Sequence, residues 1–161
     1  MSEPTYYAPH GGLPTQDQRL GDRAIFTEAY AVIPKGVMRD IVTSRLPFWS
    51  GTRAWILARP LSGFAETFAQ YLMEVGPGGG SDRPEPETGA EAALFVLEGA
   101  IDLTLNGTVH RLQPGGFAYV PPDADWQVAN PGDAPARFHW IRKAYEAVPG
   151  LDAPEPVIGN D

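Results

Sequence analysis

Glu85, Pro86 and Glu87 stand together in a Gly- and Pro-rich stretch, Gly76–Ala90, and Glu91 follows it directly. Three carboxylates in one short segment can hold a hard dication such as Mg²⁺ or Mn²⁺. Without a cation they repel one another, which raises their pKa values and lets one of them act as a base. Arg83 lies in the same segment and can contact the carboxylate of a ligand. Trp126 is a hydrogen-bond donor that ligates no cation. Of the three histidines, His10 lies near the start, His110 sits beside Arg111, and His139 falls between Phe138 and Trp140. His139 has two readings: a packing residue on a strand, or an imidazole turned into the interior as a ligand contact. There is no cysteine, which excludes disulfides, zinc–thiolate sites and a thiol nucleophile.

These residues need strands to position them. Thr67–Val75 puts Ala69, Tyr71, Met73 and Val75 on one face at period two. Tyr30–Ile33 and Arg53–Ala58 are shorter strand candidates, each stopped by a proline. Gly76–Ala90 reads as a long loop, the kind that carries function. After it, Leu94–Leu97 is a buried strand, and Ile101, Leu103 and Leu105 alternate with polar residues. Asn106-Gly107 supplies the two positive-φ residues of a type I′ hairpin. Thr108–Leu112, Phe117–Val120, Trp126–Ala129 and Arg137–Lys143 complete a series of short strands, the pattern of a sandwich or barrel. Leu46–Trp49 and Trp55 read as core or as subunit contact, rather than as a stacking platform.

The 161 residues suffice for one domain with tails. Gly (18) and Pro (17) are abundant, yet 43% hydrophobic content argues against disorder and for an all-β domain with many turns. The 12 basic residues are outnumbered by 20 acidic ones, and no basic cluster suits a phosphate backbone, so nucleic acid is not an expected partner. The longest strictly apolar run, Ala92–Leu97, is far too short for a membrane helix, and Met1–Thr5 does not begin a secretory signal. The expected location is therefore the cytoplasm. Residues 1–20 read as an N-terminal arm, 21–145 as the domain, and 146–161 as a linker or tail. A linker in that place suggests a longer parent protein.

Two segments resemble the motifs of the cupin family, whose fold is the double-stranded β-helix, a jelly-roll barrel. Pro77-Gly78-Gly79-Gly80 matches the opening of the first motif and Phe95-Val96-Leu97-Glu98-Gly99 its close. The second motif is matched in spacing by Gly115, Pro121, Asp123, Trp126 and Asn130. The resemblance implies a metal site at the His-x-His, Glu and His positions of those motifs. Here those positions carry Glu85-Pro86-Glu87, Glu91 (one residue out of register) and Trp126. The expectation is an all-β cupin barrel without a metal, its former site filled by Trp126.

A narrower resemblance runs through Tyr6-Tyr7-Ala8-Pro9, Asp22-Arg23-Ala24, the runs 30–47 and 58–68, and Arg142-Lys143-Ala144-Tyr145-Glu146. These look like the N-terminal half of the (S)-ureidoglycine aminohydrolases, bicupins of allantoin degradation, and Gly150–Pro156 is similar to the linker between their two cupins. The resemblance implies that Mn²⁺ and the catalytic groups belong to the second cupin, and that this half serves packing and assembly. It implies a homo-oligomer, a C-terminal cupin as partner, and no catalytic residue or cofactor in this chain. The alternative expectation is a stand-alone metal-free cupin that binds a small carboxylate or ureido ligand.

Overall fold

The computed structural model describes residues 25–27, 30–34, 44–58 and 67–160. Residues 1–20, expected as an arm, lie outside the described residues. The chain divides into units 1–42 and 43–161. In the first, β1 (Ile25–Phe26) and β2 (Ala31–Val32) form a small antiparallel hairpin. The Thr27 hydroxyl closes its turn, donating to the Tyr30 carbonyl and accepting from the Tyr30 amide, both at 2.9 Å.

The second unit is all-β. Its strands are β3 (Ser50–Ala58), β4 (Phe68–Ser81), β5 (Ala90–Glu98), β6 (Ile101–Leu105), β7 (Thr108–Leu112), β8 (Phe117–Val120), β9 (Trp126–Ala129), β10 (Ala136–Ala144) and β11 (Val157–Gly159). Every pairing is antiparallel, in the order β11-β8-β5-β10-β4-β9-β6-β7, with β3 on the other edge of β4. The sheet curls into a nearly closed barrel, the cupin fold. Among the described residues no helix is long and apolar enough to cross a membrane.

Period two decides what lies inside. Met73 and Val75 on β4, Leu94 and Val96 on β5, and Phe138 and Trp140 on β10 are buried in one core with Ile101, Leu103, Leu112, Val120 and Val128. The expected hairpin is present: Asn106 and Gly107 have φ of 48° and 81° between β6 and β7. Asp123, where the cupin motif has glycine, has φ of 61°, and its Oδ1 accepts from the Gly89 amide at 2.9 Å. Asp tolerates this left-handed conformation because its short side chain finds a local partner.

Two elements differ from expectation. The segment Gly76–Ala90 is not all loop, since its first residues extend β4 to Ser81. There β4 leaves β10, to which it is paired through Val75, and joins β9 at Gly80 and Ser81. Only glycine passes this corner, because a Cβ on Gly80 would fall 2.1 Å from the Val128 carbonyl oxygen. Buried Asn130 pins the gap, donating to the carbonyls of Val75 and Ala134 at 2.8 Å each and accepting from the Gly132 amide at 3.0 Å. Second, within the expected tail 146–161, Val157–Gly159 forms a strand on the free edge of β8. Asn160 holds it there, accepting from the Gln113 amide and donating to the Arg111 carbonyl.

Candidate functional site

Arg142 is two residues beyond Trp140 on β10, so it continues the inward row Phe138, Trp140, Arg142 to the barrel mouth. The loop after β4 brings Glu85 and Glu87 to it. Arg142 Nη2 donates to Glu85 Oε1 at 2.6 Å and stands 3.0 Å from a Glu87 carboxylate oxygen. Nε is 2.6 Å from Glu85 Oε2, yet that oxygen accepts no aligned hydrogen bond. The Glu85 side chain is 6% exposed and that of Arg142 18%. Burial pushes the Glu85 carboxyl above its ordinary value, against the opposing pull of the Glu87 backbone amide and the Arg142 guanidinium. Glu85 Oε1 also accepts from that Glu87 amide at 3.0 Å.

Below this ion pair lies a stack of rings. The Arg142 guanidinium sits 5.6 Å from the Trp140 ring. Trp140 packs against Tyr71 at 5.3 Å, Trp49 at 5.5 Å and, edge-on, Trp126 at 6.0 Å. Trp49 Nε1 donates to the Pro84 carbonyl at 3.3 Å, tying the acidic loop to the core. Trp140 Nε1 is buried and has no hydrogen-bond partner among the described residues.

The residues singled out in sequence do not all meet here. Glu91 leaves the cluster: on β5 the even positions Ala92, Leu94 and Val96 face in, so Glu91 faces out. It accepts from the Tyr119 hydroxyl at 2.7 Å and lies 4.0 Å from Lys143. Burial first, and then this bond, raise the Tyr119 pKa. Glu85 and Glu87 do repel, and Glu87 helps to raise the Glu85 pKa, but Arg142 binds both carboxylates and opposes that push, so the acids are not uncompensated. Arg83 turns away to cover the Phe48 ring at 4.9 Å, so it is not the cation of this cluster. His139 does not point into the barrel. It alternates with the inward Phe138 and Trp140, and its Nδ1 lies 3.3 Å from Gln70 Nε2 on the outer face. Burial lowers its pKa.

Trp126 is 6% exposed and lies in the core against Trp140. These residues do not fit a cupin metal. One ligand position is an indole, two are carboxylates bound by a guanidinium, and the fourth is on the opposite face of its strand. Among the described residues no group of three or more His, Cys, Asp or Glu is placed to hold a metal ion. Arg142 was the residue that sequence reasoning missed; its signal was the inward period shared with Phe138 and Trp140.

Comparisons with known proteins bear on the fold. Residues 71–142 match the family model described as Cupin domain. The chain is 28% identical over 147 residues to the (S)-ureidoglycine aminohydrolase of Escherichia coli K12, covering 90% of this chain and 54% of that protein. A crystal structure from Pseudomonas aeruginosa, of a protein named for induction by glyoxylate, is 61% identical with a TM-score of 0.79. It is matched over 97% of this chain and 56% of that one. The E. coli protein Ylba is 26% identical with a TM-score of 0.76, over 91% of this chain and 59% of that one. The chain thus spans about half the length of the relatives it matches.

Proposed function

Starting from a cupin domain at residues 71–142, we propose that this chain is the metal-free cupin half of an (S)-ureidoglycine aminohydrolase-like protein. Its role there is scaffold and assembly. One observation carries the reading: Arg142 fills the place where the barrel's carboxylates meet and pairs with both of them. The family reaction replaces the α-amino group of (S)-ureidoglycine with water, yielding (S)-ureidoglycolate and ammonia. Displacement at that carbon needs an electrophilic stabiliser and a positioned acid–base pair. The guanidinium here is engaged by Glu85 and Glu87, and Trp126 and Trp140 fill the space behind it. Mn²⁺ and the catalytic groups then belong to a second cupin, in the same parent protein or a partner chain.

The outer face supports an assembly role. Phe117, Phe95 and His139 lie in one cross-strand row. Phe95 and Phe117 are 45% and 42% exposed, with Ile141 and Val157 nearby on the same sheet. Exposed aromatics clustered on the outer face of a sheet suit burial against another subunit. An alternative reading, a ligand-binding cupin, draws support from the unpartnered Trp140 Nε1, a buried donor that a small carboxylate or ureido group would satisfy.

Ammonia release from freshly generated ureidoglycine, with Mn²⁺ present, separates these readings from catalysis. The chain alone is expected to match the spontaneous decay. Activity that requires Mn²⁺ and disappears in Glu85→Ala and Glu87→Ala would restore this barrel as the active site. A sedimentation profile of monomer alone at micromolar concentration would count against the assembly role.

A further inference from the structure

A second site lies on the outside of the barrel, away from Arg142. Where β4 turns its corner, a cleft of about 460 Å³ opens between the residues leading into β3 and the β6–β9 pair. That volume is within the range of small-ligand sites, about 300–1,000 Å³. Gly78, Gly79 and Gly80 form its floor, with Phe48 and Ser50 on one side, Thr104 and Gln127 on the other, and Asp82 also in its lining. We propose that this cleft binds a neutral saccharide, with one sugar ring against Phe48 and its hydroxyls on Asp82, Thr104 and Gln127.

Phe48 is the first argument. It has φ of 65°, a conformation that a bulky residue without glycine's freedom rarely adopts. Such an outlier persists only where its surroundings enforce it, and it marks functional sites more often than packing sites. The bracing is visible. Ser81 Oγ donates to the Phe48 carbonyl at 2.6 Å, and the Arg83 guanidinium covers the ring at 4.9 Å. Despite this bracing Phe48 is 53% exposed, so the strained conformation displays an aromatic surface rather than burying it.

The walls and floor decide the ligand class. The floor's backbone is already paired: Gly80 with Ser50 and Ala129, the Gly78 amide with the Asn130 carbonyl, and the Gly79 carbonyl with the Asn130 amide. A peptide strand would therefore find no free ladder to extend, and recognition falls to side chains. Thr104 and Gln127 are cross-strand neighbours, and their side chains and that of Asp82 make no hydrogen bond among the described residues. An amide and a hydroxyl both donate and accept, and a carboxylate accepts twice, which suits vicinal hydroxyls that do both. Among the described residues no lysine or arginine is in the lining, and the nearby Arg83 guanidinium is already engaged on the Phe48 ring, so the cleft favours a neutral ligand over an anion. An aromatic face opposite such groups takes the apolar face of a sugar ring.

The test is amide NMR titration of the whole chain with maltotriose, cellotriose and triacetylchitotriose, beside glucose, glycerol, tetramethylammonium and a glycine-rich peptide. One of the trisaccharides should give saturable shifts at Gly78–Gly80, Thr104 and Gln127. Phe48→Gly should keep the fold, because glycine accepts that φ, and weaken binding about tenfold or more. Phe48→Tyr should retain binding, and Asp82→Asn should weaken it with melting unchanged. Glucose binding as tightly as the best trisaccharide would assign the site to a free sugar and still support the proposal. The proposal is overturned if no sugar shifts these amides saturably, if Phe48→Gly binds as the parent does, or if glycerol, tetramethylammonium or the peptide produces the same saturable shifts.

Discussion

Replacing Arg142 with methionine keeps the aliphatic stem beside Trp140 and removes the guanidinium that faces Glu85. Breaking a buried pair by removing one partner costs about 3–5 kcal/mol, because the other charge stays behind. The variant can limit that cost by protonating Glu85. From the ordinary value of 4.5, protonation at pH 7 costs about 3.4 kcal/mol, and at pH 5 only about 0.7, at 1.36 kcal/mol per pH unit. The loss of the cation–π contact adds about 0.5–1 kcal/mol at any pH. Arg142→Met should therefore lose about 4 kcal/mol at pH 7 and under 2 at pH 5. The sign follows from the raised folded pKa of Glu85: its favourable contribution is complete below 4.5 and declines as pH rises through the folded value. Removing Arg142 raises that pKa further and widens the window. Urea unfolding at pH 5, 6 and 7 measures this for the parent, Arg142→Met, and Arg142→Met with Glu85→Gln. The double variant should recover most of the pH 7 loss and show little added pH dependence. A penalty equal at pH 5 and pH 7, or a double variant as unstable as the single one at pH 7, would refute the argument.

Asn130→Ala leaves two carbonyls and one amide without their side-chain partner and should cost about 2–4 kcal/mol in denaturant unfolding. His139, its pKa lowered by burial, should be neutral at pH 7 by NMR. Its contribution to stability is complete above its ordinary value of 6.5 and is lost as pH falls through the depressed folded pKa, so His139→Gln should flatten that acid limb. Deleting residues 157–161 uncovers the edge of β8 and should lower stability by about 1–2 kcal/mol and promote concentration-dependent association, read by light scattering. Elemental analysis of the purified chain should find no stoichiometric Mn, Fe or Zn, and a stoichiometric metal with Glu85 or Glu87 among its ligands would reverse the reading of the barrel mouth.

Much of the barrel was legible from local pattern. Ile101, Leu103 and Leu105 alternate with polar residues because one face of β6 meets the core, and Asn106-Gly107 turns the chain because both residues tolerate positive φ. The motif spacing from Gly115 to Asn130 placed Trp126 in the barrel interior, where it is buried. These are properties of a few consecutive residues, so sequence alone determines them.

Tertiary structure decided the rest, because pairing between distant strands sets which side chains meet. Glu85 and Glu91 are close in sequence but part company at the start of β5, where one residue's difference in pleat turns Glu91 outward. Glu85 instead meets Arg142, 57 residues away, because β10 lies beside β4 and aims its even-numbered side chains inward. The same pleat turns His139 out and Trp140 in. Nothing local to Gly76–Ser81 says strand, and only β3 and β9 on either side make it one. Nor do the prolines around Val157–Gly159 announce an edge strand; that role exists because β8 leaves an edge to fill.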